Sequence, residues 1–261
     1  MRKRVVCNNN WVKTQGRLGT LTMYLATNGF RITGAAGLAT VLIGIVISFF
    51  YPPLPGALPE GFSLSVIALE FTSSLSSASA LFQGDLAMIH RYQTGHSIDM
   101  MYLVAYGAFL GFANLSGWYV RRRALSLIGI IAAGIASSAD FAENLHLMQL
   151  TQALQGSGSA PDFWLLRLFV STKFLMISVS LLCLVPLLWN RGWLGRGFCA
   201  SSILIAPCTL LTLSGFFQFS NAMAGSILVA WVCLLVWVLK VRNGLPDTTD
   251  RHSETLGTQA S

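Results

Sequence analysis

Residues 62–82 read FSLSVIALEFTSSLSSASALF, a stretch with no proline and long enough to cross a ~30 Å hydrocarbon layer as a helix. It also holds seven serines, Thr72 and Glu70. Whether it crosses decides the number of spans and the side on which every later loop lies.

The rest of the chain sets the context. Of 261 residues, 54% are hydrophobic and only 10% charged, with a mean hydropathy of +0.62. A soluble domain carries about 25% charged residues, so the composition reads as an all-α polytopic membrane protein. Six apolar runs have the length of spans: 34–51, 100–120, 124–147, 163–189, 197–217 and 222–239.

Basic residues arbitrate the doubtful stretch. With six spans and a cytoplasmic N-terminus, fourteen of the seventeen Lys and Arg fall on the cytoplasmic side, including Arg2, Lys3, Arg4, Arg121, Arg122 and Arg123. A seventh span over 62–82 would flip every later loop and leave seven inside against eight outside. The positive-inside rule selects six spans. Residues 52–98 then form an outer-face segment. YPPLPGALPE, at 51–60, is a rigid extended exit, because its four prolines exclude helix. Leu64, Ile67, Phe71, Leu75, Ala78 and Phe82 follow helical spacing, which predicts an amphipathic helix at the outer face, with a re-entrant helix as the competing reading.

The flanks agree. Tyr51 and Trp164 fall at outer ends of spans, and Trp118, Tyr119, Trp189 and Trp193 at inner ends. Residues 1–33 read as a basic cytoplasmic segment leading into an uncleaved anchor, 34–242 as the bundle, and 243–261 as a polar, disordered cytoplasmic tail. The net charge of +7 invites a nucleic-acid reading. The basic residues flank apolar runs instead of forming a stripe with interleaved aromatics, so no nucleic-acid partner is expected. The partners expected are the lipid bilayer and a protein partner or a second copy. Five cysteines (Cys7, Cys183, Cys199, Cys208 and Cys233) form no C-x-x-C and read as inert thiols.

Ionisable residues inside the bilayer are costly and are therefore functional candidates. At 1.5 Å per residue, Asp140 lies about 24 Å above Ala124 on the third span. Ser137, Asp140, Asn144 and, close by, Glu143 share one face of it. Below them Gly129, Ala132, Ala133 and Ala136 allow a neighbouring helix to approach closely. The next span returns, bringing Arg167 about 6 Å and Lys173 about 15 Å from its start. Asp140 and Glu143 are thus expected to neutralise Arg167, Lys173 or both in a polar cluster that organises the bundle or contacts a partner.

Two sharper readings stay open. The cluster of Asp140, Glu143, Asn144, Arg167 and Lys173 is a candidate ion or polar-ligand site of a proton- or cation-linked transporter. Asp140 and Glu143 are also candidate catalytic acid and base of an enzyme acting on a lipid or isoprenoid head group. Glu143-x-x-His146 has di-iron spacing but occurs once, so neither metal nor cofactor is expected. His90, His96 and Asp99 could form a second cluster, although Asp99 reads more simply as a residue opening the second span. No Walker loop, H-E-x-x-H or G-x-S-x-G occurs.

The order of Leu69-Glu70, Asp99 and Tyr106, then D-x-x-E-N-x-x-L from Asp140 to Leu147, then Lys173, resembles a functionally uncharacterised family of small bacterial multipass membrane proteins. The resemblance covers residues 69–173. It implies an inner-membrane location and no particular reaction.

Overall fold

The structure, a computed structural model, describes residues 9–120 and 123–242, with side chains described for 28–117 and 123–240. The basic residues at 2–4, Arg121, Arg122, Cys7 and the tail after 242 lie outside those limits, as do the side chains of Trp118 and Tyr119. The regular structure of the described residues is all helical: α1 (Asn9–Ser48), α2 (Ser65–Glu70), α3 (Leu75–Phe82), α4 (Leu86–Val120), α5 (Arg123–Leu154), α6 (Phe163–Leu188), α7 (Gly192–Leu213) and α8 (Ser220–Arg242), with one 3-10 turn at Phe217–Phe219.

Six segments are long and apolar enough to span a membrane: Asn28–Ser48, Leu86–Gly117, Arg123–Leu154, Phe163–Leu188, Gly192–Leu213 and Phe217–Lys240. Their outward faces carry Leu42, Ile45, Ile131, Leu204 and Leu228, large apolar side chains left exposed as lipid-facing residues are. Each long helix packs on its chain neighbours, and α8 closes the ring against α1. Small residues set the closest approaches. A Cβ on Gly107 of α4 would collide with the Ser137 hydroxyl, and one on Gly129 of α5 with the Asn114 side chain. At that second contact Asn114 Nδ2 donates to Ser180 Oγ (3.1 Å), which donates to the Gly129 carbonyl (3.0 Å), tying α4, α5 and α6 together.

The doubtful stretch does not cross. It folds into two pieces, α2 and α3, of six and eight residues, about 9 and 12 Å long. The continuous helix expected from its spacing is interrupted by hydroxyl groups that compete for the backbone. Thr72 Oγ1 donates to the Leu69 carbonyl (2.8 Å), and Ser74 starts α3 with a reciprocal capping box to Ser77. Nor is α2 one-sided: Ser65, Ile67, Ala68, Leu69 and Glu70 are all buried, and it sits as a plug in one end of the bundle. The proline-rich strap is stitched to α2 by Leu54 N–H to Ser65 Oγ (3.1 Å) and to α3 by Gly56 N–H to the Leu81 carbonyl (2.9 Å).

The second span starts earlier than hydropathy suggests. Asp85 Oδ1 accepts from Met88 N–H (3.0 Å), and α4 runs from Leu86 through the polar residues His90 to Thr94. His90, Arg91 and Thr94 turn outward while Ile89, Tyr92 and His96 bury the opposite face. Arg91 donates twice to the Phe49 carbonyl, at 3.0 and 2.5 Å, closing the C-terminal end of α1.

Candidate functional site

Three long helices meet the α2 plug at one site. Asp140, Glu143 and Asn144 project from one face of α5, Lys173 from α6, Glu70 from the last turn of α2 and Asp99 from α4. Lys173 Nζ stands 2.6 Å from Glu143 Oε1, 3.1 Å from Glu70 Oε1 and 3.5 Å from Asp140 Oδ1. All four side chains are less than one-tenth exposed. Asn144 Nδ2 donates to Asp99 Oδ2 (3.0 Å), which brings a fourth carboxyl group to the edge of the cluster.

The structure brings Asp140, Glu143 and Lys173 together and leaves Arg167 apart. Its guanidinium lies over the Phe71 ring, 4.7 Å from the centroid, and 5.6 Å from that of Phe217, and Nη1 donates to the Phe71 carbonyl at 3.4 Å. Residues six apart on a helix are about 120° from sharing a face, so Arg167 and Lys173 cannot both turn toward α5. The expectation that Arg167 joins the acidic cluster is corrected on that geometry.

Glu70 is the member that sequence reasoning missed. Its signal was its isolation as the sole acid in an apolar, serine-rich stretch. The surface-helix reading gave it no partner, whereas burial of α2 turns it inward. Asp99 is also reassigned: thirteen residues beyond the start of α4, it cannot serve that helix terminus.

The second expected cluster does not assemble. His96 Nδ1 and the Tyr51 hydroxyl are 2.8 Å apart, His90 is exposed and meets Gln155 Nε2 at 3.3 Å, and Asp99 turns to Asn144. His146 Nδ1 lies 2.8 Å from the Ala142 carbonyl. Among the described residues no group of three or more His, Cys, Asp or Glu is arranged to hold a metal ion.

The cluster borders a cavity of about 400 Å³. Its polar wall consists of Glu70, Asp99, Asp140 and Lys173, beside Tyr51, Tyr102, Tyr106 and Trp231. Apart from Ser48 the rest is apolar, including Ile47 from α1, Leu64 at the start of α2, and Ile227 and Leu228 from α8. Of its lining residues, Leu228 of α8 is 63% exposed, and Ser48 of α1 and Leu64 at the start of α2 are exposed too, so the cavity opens on the flank where α1, α8 and α2 meet. Charge at the floor and hydrocarbon at a lateral mouth suit a molecule with a polar end and an apolar end.

Comparison with known proteins adds no relative: no family model, curated protein or solved structure matches the chain.

Proposed function

We propose that this chain is a multi-pass protein of the bacterial cell membrane, with both termini cytoplasmic, that binds the polar end of an amphiphile in the cleft between α1 and α8. The orientation rests on the distribution of basic residues. The family resemblance carried by Asp140, Glu143, Asn144 and Lys173 supports the same location.

One observation carries the functional reading: the buried charges line a cavity that opens on an apolar flank. An ion pair that only organises the bundle needs one carboxylate for one ammonium and no space beside it. Here four carboxyl groups gather around or beside Lys173, and three of them face a cavity.

The experiment is native mass spectrometry of the chain extracted in a mild neutral detergent. A bound amphiphile is expected on the wild type and is expected to be lost in Ala224→Phe, which narrows the mouth, with the thermal midpoint kept. A wild type that carries none, and takes none up on reconstitution, overturns the reading.

The charge imbalance favours a second reading, a proton- or cation-linked carrier using Asp140. It predicts ion flux in proteoliposomes that Asp140→Asn abolishes; silence across a broad ion panel removes it.

A further inference from the structure

We propose that the molecule held in the cleft is a cationic amphiphile whose ammonium head sits between the carboxyl groups of Glu70, Asp99 and Asp140 and the aromatic faces of Tyr51, Tyr102 and Trp231. This rests on the reading that the cleft binds an amphiphile, and it names the head group.

Charge selects the cation. A lysine ammonium has three donors, and three carboxylate oxygens already surround that of Lys173, at 2.6, 3.1 and 3.5 Å. Two of those donors are taken by Glu143 and Glu70 and the third faces Asp140 Oδ1, and a phosphate or sulfate would also meet the carboxyl groups of Glu70, Asp99 and Asp140 on the cavity wall. An ammonium instead meets acceptors. Glu70 Oε2 is buried on the cavity wall and has no hydrogen-bond partner among the described residues. Leaving such a group unmatched in a low-dielectric site is costly, and a cationic donor removes that cost.

The walls add a second preference. The rings of Tyr102 and Trp231 are 6.0 Å apart and those of Tyr106 and Trp231 5.5 Å, and all three border the cavity with Tyr51. Aromatic faces beside carboxylates attract alkylated ammonium groups. Trp231 Nε1 is buried and also has no partner among the described residues, so it is free to donate to an ester, amide or hydroxyl oxygen next to the ammonium. The alkyl chain then leaves past Ile227 and Leu228 into the bilayer.

The test is titration calorimetry of the full chain in neutral maltoside micelles. The probes are dodecyltrimethylammonium, dodecylamine, dodecyl phosphate and dodecanol. The ammonium probes are expected to bind about tenfold or more tightly than the other two. Glu70→Gln and Asp99→Asn are each expected to weaken them by about tenfold. Asp99 does not touch Lys173, so its variant keeps the test valid if Glu70→Gln fails to fold. Competition between dodecylamine and a dioleoyl trimethylammonium lipid separates a free amine from a bilayer lipid as the source of the head group. Preference for dodecyl phosphate, or equal binding of dodecanol, overturns the cationic head group and leaves the cleft as a binding site. If none of the probes binds, the cleft reading falls with it.

Discussion

Lys173 Nζ and Glu143 Oε1 are 2.6 Å apart, joining α6 to α5 where neither side chain reaches solvent. Glu143 is the most deeply buried acid of the cluster and does not border the cavity, whereas Asp140 and Glu70 do. The pair therefore divides the cluster into an anchoring half and a half that faces open space.

Removing the ammonium should be severe. Lys173→Met leaves the carboxyl groups around it without their counter-charge and is expected to cost about 3–5 kcal/mol, the usual consequence of breaking a buried pair. Lys173→Met combined with Glu143→Gln should recover part of that loss. Thermal unfolding in detergent, followed by circular dichroism, checks both. A single variant as stable as the wild type would show that the cluster does not anchor α5 to α6.

Arg167→Gln should leave the acidic cluster intact, since among the described residues the guanidinium meets aromatic rings and the Phe71 carbonyl. A cost of about 1 kcal/mol is expected, from the lost cation–π contact. The same unfolding assay separates this from the larger loss expected had Arg167 been a partner of Asp140.

Gly129→Ala should destabilise more than Gly107→Ala. The new methyl at 129 meets the Asn114 amide, which is buried and committed to Ser180; at 107 it meets the half-buried Ser137, whose hydroxyl makes a longer hydrogen bond, 3.2 Å, to the Leu103 carbonyl. Overpacking of this kind costs about 1–3 kcal/mol. The difference in melting temperature between the two variants is the readout.

Tyr51 lies beyond the end of α1, outside the spans. Burial first, and then the Asp99 carboxylate, pushes its hydroxyl well above the ordinary value of 10. The unfolded chain releases that proton near pH 10 and the folded chain resists, so the contribution is fully present below pH 10 and is lost as pH rises above it. Tyr51→Phe should therefore flatten part of the alkaline fall in stability. It should also cost about 1 kcal/mol at neutral pH through the lost contact with His96. Unfolding measured on both sides of pH 10 checks the sign.

The six spans were legible because apolar length and the placement of Lys and Arg are properties of the linear chain. A buried charged cluster between these two sequential spans was legible too, since antiparallel neighbours bring acids and bases together, but depth matched Asp140 to Arg167 and left open which base would meet it. Glu70 was hidden because its position depends on α2 folding back into the bundle, a tertiary event with no periodic signature. Asp99 was hidden because α4 begins in polar residues, His90 to Thr94, which hydropathy reads as loop. Arg167 was misjudged by depth alone, without regard to helical angle.

The ring of helices gives the cluster an order of assembly. Glu70, Asp99, Asp140 and Glu143 all precede Lys173 in the chain, the last of them by 30 residues. A ribosome thus delivers every acid to the insertion machinery before the single base that balances them. It follows that α5 is poorly suited to enter lipid alone and is best released together with α6, as a hairpin. The cleft itself is completed later still, when α8 arrives to lie against α1, so the proposed binding site is incomplete until α8 has been made.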